Sequence, residues 1–222
     1  MRSLTESAEI SNSDYQIAPA LAARLPAYQR REQIFEIALQ LFSSKGYIQT
    51  SVGDLAKAAG VTKPVIYQHF VSKKALYLEL LEHVGAQLLG EINRAAGSAR
   101  SPRGQVESGF LAYFRYVGEH ENAFYLLFGT GGRRDDEFSE VARKVERTMA
   151  EAVAVLIEAA ISPQHRLMLA YGIVGLAEST SRHWLTSLKE SNIESGIPAD
   201  PDVLARWVAE IAWAGLRGIT KD

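Results

Sequence analysis

The sequence predicts an all-α fold, with three helices forming a small N-terminal head and about six more forming a C-terminal bundle. Three observations predict it. Apolar residues recur at helical spacing through most of the chain, and no alternating apolar–polar segment of any length occurs. In addition, the stretch SVGDLAKAAGVTKPVIYQHF, residues 51–70, carries the local signals of two short helices joined by a tight turn.

Composition sets broad limits. A chain of 222 residues with 47% hydrophobic content can bury a substantial core. Its opening residues contain no apolar run of signal-peptide type, and the longest apolar stretch, residues 168–177, is half the length needed to cross a bilayer. The expected location is the cytoplasm, with no membrane partner. The absence of cysteine removes disulfides, thiolate nucleophiles and cysteine metal sites. Net charge is −2, yet residues 24–83 hold eight Lys/Arg against five Asp/Glu, so this part is at +3 and the remainder at −5. Basic character is concentrated around the 51–70 segment.

Residues 1–25 are polar, lack periodicity and are expected to form a flexible arm. From about residue 27, Ile34, Ile37, Ala38, Leu41 and Phe42 form one apolar stripe of a first helix. Lys45 and Gly46 stop it: the cation suits the negative helix end, and glycine tolerates the backbone conformation of a stop. Arg30 and Arg31 lie near the start of this helix, where its dipole disfavours them, so an external phosphate is the expected partner.

Ser51 is a good N-cap with Asp54 three residues on, and Val52, Leu55, Ala56 and Ala59 share one face of a brief second helix. Gly60 supplies the turn. Thr62 can cap a third helix, Pro64 fits its first turn, and Ile66 and Phe70 point inward four residues apart. Two helices crossing steeply need a small residue at the crossing, a glycine in the turn and a bulky apolar residue beyond it; Ala56, Gly60 and Ile66 meet that spacing. The pattern is that of a helix-turn-helix. On the outward side, Lys63 can pair with phosphate or guanine, Gln68 can read adenine, Tyr67 can donate to phosphate, and Pro64 or Val65 can touch a thymine methyl. Thr62 and His69 lie at the edges of this surface, and for His69 packing explains the residue as well as a phosphate contact does. Residues 26–71 are therefore expected to form a DNA-binding domain, with residues 72–222 forming a second domain.

The segment from Arg30 to Leu81, above all AKAAGVTKPVIYQHFVSKKALYLELL, resembles the DNA-binding domain of TetR-family transcriptional regulators. The ending Phe42-x-x-x-Gly46-Tyr47 and the run Tyr67-x-x-Phe70-x-x-Lys73 carry the likeness. It implies further phosphate contacts from Ser51 and Lys73. Lys74 departs from the family pattern, where an acidic residue is common, and leaves the fourth helix without its usual capping-box partner.

A long helix follows from residue 72 to about 97, with Leu76, Leu80, Val84 and Leu88 four residues apart, and it should link the two domains. Helices are then expected from Ser101-Pro102 to about residue 120 and, after a short apolar segment at 123–128, over about 137–160, 163–189 and 201–217. The intervening GTGGRRDDE, residues 129–137, lacks both the preceding strand and the GxxxxGK[ST] or GxGxxG spacing of a phosphate loop, and reads as a turn. Phe110, Tyr113, Phe114, Val117, Phe124, Leu127, Phe128, Phe138, Val145 and Met149 form an apolar set. Taken alone they could simply fill a core; the family resemblance implies a pocket for a hydrophobic small molecule. In the last two helices, Gly175 with Tyr171, Gly172, Ala177 and Ser179 offers close approach, and Trp184, Leu185, Trp207, Val208, Ile211 and Gly215 offer anchors for a homodimer interface, with a monomeric core as the alternative. Two copies of the reading helix about 34–36 Å apart would read a palindromic operator in double-stranded DNA.

The segments EHENAFYLLF, ISPQHRLMLAYGIVGLAESTSRHWL and WVAEIAWAGLRG are similar to actinobacterial TetR-type regulators of fatty-acid biosynthesis, which implies long-chain acyl-CoA as effector class. The resulting expectation is a repressor that the effector releases from DNA. Alternatives are the same architecture answering to another apolar or aromatic ligand, or a helical lipid-binding protein without DNA binding. No cofactor, metal or catalysis is expected: the five histidines are scattered, and neither HExxH nor GxSxG occurs.

Overall fold

The computed structural model describes residues 25–129, 136–157, 159–189 and 196–219. The expected arm, apart from Leu25, and most of the glycine-rich turn lie outside them. Among the described residues the fold is all-α, in the order α1 (Ala27–Lys45), α2 (Val52–Ala58), α3 (Lys63–His69), α4 (Lys73–Ser98), α5 (Pro102–Glu119), α6 (Glu121–Phe128), α7 (Asp136–Val155), α8 (Pro163–Lys189) and α9 (Pro201–Arg217). The three-helix head and the C-terminal bundle expected from the sequence are both present.

Local chemistry sets the boundaries in the head. Gly46, at φ +84°, ends α1 while its N–H still donates to the Phe42 carbonyl. The Ser51 hydroxyl accepts from the Asp54 N–H, and the Asp54 carboxylate accepts from the Ser51 N–H, a complete capping box. Gly60, at φ +65°, makes the turn into α3. Thr62 holds the N-cap backbone position of α3, but its side chain makes no capping bond. The inner faces meet in Ile34, Phe35, Ala38, Phe42, Leu55, Ala56, Ile66 and Phe70, all buried. Thr50 is fully buried between α1 and α2, donating to the Gly46 carbonyl at 2.8 Å.

The head is closed by α4, which serves both parts of the molecule. Ser72 caps it by accepting from the Ala75 N–H, which needs no acid at Lys74. Near its start Tyr77 packs edge-on to Phe42, and further along His83 lies 4.8 Å from Phe35. Beyond that point α4 packs against α5 and α7. Gly85 marks the crossing with α7, since a Cβ there would come within 2.7 Å of a Val145 methyl. In the bundle α5 lies between α4 and α9, α7 between α4 and α8, and α6 sits against α1 of the head. The helix expected over 137–160 is shorter than predicted, because α7 ends at Val155 and the chain turns to bury Ile157.

Candidate nucleic-acid interface and apolar pocket

Burial on one side of α2 and α3 leaves a polar face on the other. Thr62, Lys63, Pro64, Tyr67 and Gln68 are exposed, and Val65 and His69 are half-buried beside them. Tyr67 is 51% exposed although aromatic. The Lys63 side chain lies across the first turn of α2, where a Cβ on Gly53 would stand 3.2 Å from its Cε. Glycine there gives the lysine its path. Ser51 is exposed on the same side, its hydroxyl engaged with Asp54 at 2.6 Å, and that bond holds the Asp54 carboxyl below its ordinary range. One surface therefore gathers one ammonium, several hydroxyls, an amide and two helix starts, the donor set that meets phosphates and base edges.

The flanking cations divide differently from the expectation. Arg30 stays half-buried near this surface, its guanidinium 2.6 Å from Gln33. Arg31, expected to meet phosphate, turns inward instead. It donates to the His69 carbonyl at 2.9 Å, pairs with Glu79 on α4, and lies 4.3 Å over the Phe70 ring. It satisfies the last carbonyl of α3 and offsets the local dipole, so an internal partner explains its position. Lys73 departs in the same way. Its ammonium donates to the Tyr47 and Thr50 carbonyls at 2.9 and 3.0 Å and lies 4.1 Å over the Tyr47 ring. Burial lowers its pKa, as it does for an ammonium removed from water. It ties the loop between α1 and α2 to the start of α4 rather than facing outward. The His69 ring rests near Phe70, in accord with its packing reading.

The apolar set of the bundle serves several purposes. Phe110, Tyr113 and Met149 do line a pocket of ≈ 80 Å³, together with Ile92, Gln105, Val106, Gly109, Val153, Leu156, Ile157, Ile173, Val174, Ala177 and Leu216. The other seven expected residues do not line it. Phe114 and Val117 are packed into the α5 core, where Phe114 meets Trp184 edge-on. Phe124, Leu127 and Phe128 are buried on α6, the helix that faces α1, and Arg182 closes its end by donating to the Phe128 carbonyl. Phe138 packs on Tyr47 and Tyr77 at the head, and Val145 fills the space over Gly85. A list of apolar residues cannot say which void they surround. On the α8 wall, Ile173 and Val174 were missed because they read simply as a helix core, with helical spacing the available signal, and Ala177, expected on the dimer surface, is buried at the pocket instead.

The expected dimer residues also separate. Trp184 is 2% exposed, donates its indole N–H to the Pro198 carbonyl at 2.8 Å and packs beneath Gly118, so it anchors the protomer's own core. Leu185 and Val208 are likewise buried. Their large apolar area is already taken by α5 and its neighbours. Gly175, Trp207, Ile211 and Gly215 remain exposed, with nothing within 4 Å of a Cβ added at either glycine.

This is the anatomy of a helix-turn-helix DNA-binding protein, with its reading helix carried on a helical bundle. A model of bacterial regulatory proteins of the tetR family matches residues 34–80, and a model of the tetracyclin repressor-like C-terminal domain matches residues 102–215, more than half of the chain. The chain belongs to the TetR family and is a DNA-binding transcriptional regulator. It is 27% identical over 195 residues to the transcriptional activator FasR of Mycolicibacterium smegmatis, covering 87% of this chain and 85% of that protein. To the transcriptional repressor KstR2 of the same organism it is 28% identical over 125 residues, 54% of this chain and 60% of that one. A TetR-like regulator from Rhodococcus sp. RHA1 has the same fold, with a TM-score of 0.70 at 24% identity, over 88% of this chain and all of the other. Among the described residues no helix is long and apolar enough to cross a membrane.

Proposed function

We propose that the protein binds a palindromic operator as a homodimer and is released by an apolar effector that enters the bundle, repressing transcription where the operator overlaps a promoter. The observation that carries this reading is the pairing of two unpartnered surfaces. One is the exposed face of α3, and the other is a stripe along α8, Met168, Gly172, Gly175, Ser179 and His183, with Trp207 and Ile211 of α9 beside it. Small residues at that spacing allow a second copy to approach closely, and the exposed Trp and Ile supply apolar area to bury. A lone seven-residue reading helix touches too few bases to select a site; two copies about one DNA turn apart select a palindrome. Thr62, Lys63, Pro64, Tyr67 and Gln68 make the direct contacts, with Arg30, Ser51, Val65 and His69 at the margin. The functional division falls near residues 71–72, with α4 belonging to both parts.

The effector reading rests on the apolar pocket and on the likeness of three segments to regulators that sense long-chain acyl-CoA. A pocket of ≈ 80 Å³ holds only a few carbon atoms. A long chain must therefore widen it, displacing α7 or α8, and the free energy of that displacement is what can be communicated to the head. Relatives include an activator and a repressor. Release from DNA is compatible with either sign, which operator position decides. Coupling of this kind is reciprocal and is typically ~1–3 kcal/mol. Operator titrations with and without palmitoyl-CoA test the reading: operator affinity should fall about five- to 150-fold at saturation, and an unchanged affinity would refute effector release by this ligand class.

A further inference from the structure

Two buried hydroxyls, one on the pocket wall and one just beyond it, are poorly satisfied. Tyr113, on its α5 wall, is 4% exposed, and Ser181, one helical turn beyond the wall residue Ala177 on α8, is 0% exposed. Neither hydroxyl has a hydrogen-bond partner of acceptable geometry. They are nonetheless neighbours, close enough for a weak mutual hydrogen bond: burial pushes the Tyr113 phenol far above its ordinary range, and the bond with Ser181 partly offsets the push. A buried, poorly met hydroxyl is costly, so two at one spot form an unusual concentration of polarity beside a lining whose one other polar side chain is Gln105.

We propose that Tyr113 and Ser181 receive the polar group of the effector, and that this group is an uncharged carbonyl at the head of an aliphatic tail. The inference rests on the effector reading above and gives the pocket a chemical class. Two hydroxyls can each donate one bond, and a carbonyl oxygen has two lone pairs to accept them. A carboxylate fits less well. Arg182 is the cation whose charge reaches Tyr113, but its guanidinium is committed to Glu178 at 2.6 Å and to the Phe128 carbonyl at 2.7 Å. A buried anion would thus lack a counter-charge of its own. Gln105 apart, the rest of the lining, Val106, Phe110, Met149, Val153, Ile173 and Val174 among it, suits a hydrocarbon tail.

The test is calorimetric titration of the full-length protein with methyl octanoate and with sodium octanoate, for the wild type, Tyr113→Phe, Ser181→Ala and Gly109→Leu. Gly109 lines the pocket, and a Cβ there meets only an Ile92 methyl at 3.8 Å, so leucine can fill the space without displacing backbone. The ester should bind more tightly than the carboxylate, each hydroxyl deletion should weaken the ester roughly two- to tenfold, and Gly109→Leu should abolish it. Unliganded Tyr113→Phe should unfold at the wild-type temperature or above, because the lost hydroxyl had only a poorly aligned bond with Ser181. Ester affinity unchanged in both hydroxyl variants overturns the proposal, as does a lowered unfolding temperature for unliganded Tyr113→Phe, which would reveal an internal partner. Octanoate binding as tightly as the ester overturns the neutral-carbonyl class. Ester binding unaffected by Gly109→Leu, or absent in the wild type, removes the pocket as the site. Binding is read here without DNA, so these failures are distinguishable from a failure of operator release.

Discussion

The Phe138 ring at the start of α7 stands 4.6 Å from Tyr47, nearly perpendicular to it, and 4.5 Å from Tyr77. Tyr47 belongs to the loop that follows α1, Tyr77 to the first turns of α4, and Phe42 lies 5.1 Å from Tyr77 on the other side. Burial and the nearby Tyr47 push the Tyr77 phenol up to about 12, so it stays neutral at any physiological pH. The same α7 contributes Met149 and Val153 to the pocket. A single helix thus touches both the pocket and the head.

Replacing Phe138 with alanine should cost about 3–5 kcal/mol, the usual range for emptying a buried aromatic site, read by urea unfolding. Phe138→Leu, which keeps apolar volume, should retain the fold and operator binding while diminishing the effect of ligand on the operator. Full ligand response in the leucine variant would show that the junction does not transmit it.

Lys63→Ala should weaken operator binding and lower the salt slope by about one, because one phosphate or base contact fewer releases fewer counterions. Tyr67→Phe should weaken binding while changing stability by no more than about 0.5 kcal/mol, since the side chain is exposed. Titrations at two salt concentrations separate the two effects.

Arg31→Met should behave in the opposite way. It removes the bond to the His69 carbonyl and the pairing with Glu79, so urea unfolding should report a loss of about 1–3 kcal/mol. Operator titrations of the folded variant without urea should give the wild-type salt slope. A slope reduced by one would return Arg31 to the phosphate contacts.

Trp207→Ser with Ile211→Ser should yield folded monomers by sedimentation or native mass spectrometry, because both side chains are exposed in the protomer. Trp184→Ala should instead unfold the protomer, costing about 3–5 kcal/mol. A dimer surviving the double substitution would place the interface elsewhere.

Arg115 grips Asp202 through two bonds, at 2.7 and 2.6 Å, joining α5 to the first turn of α9. The bonded guanidinium holds the Asp202 carboxyl below its ordinary range. A lowered carboxyl pKa stabilises the fold above the unfolded value, about 4, and that contribution disappears as pH falls through the folded value. Asp202→Asn should therefore be less stable than the wild type at pH 7, and the two stabilities should converge in acid. Parallel curves down to pH 2–3, about the floor of the carboxyl range, would exclude the pair as a source of pH dependence.

What the sequence by itself determined is the head and the helical plan. Ser51 with Asp54, Gly46, Gly60, Ser72 and Ser101 act on backbone groups a few residues away, so their bonds are implied by order along the chain. Helical spacing likewise identified Ile66 and Phe70 as inward and left Lys63, Tyr67 and Gln68 outward. The tertiary structure alone decided where long side chains and shared apolar faces go. Arg31 finds Glu79 across 48 residues, Lys73 finds the Tyr47 carbonyl across 26, and Trp184 is enclosed by Phe114, Gly118 and Pro198. Charge and hydrophobicity specify that such groups must be satisfied or buried, but not by which neighbour. That choice belongs to the packing of helices distant in the chain, which made Trp184 a core residue, left Trp207 exposed, and set the buried hydroxyls of Tyr113 and Ser181 side by side.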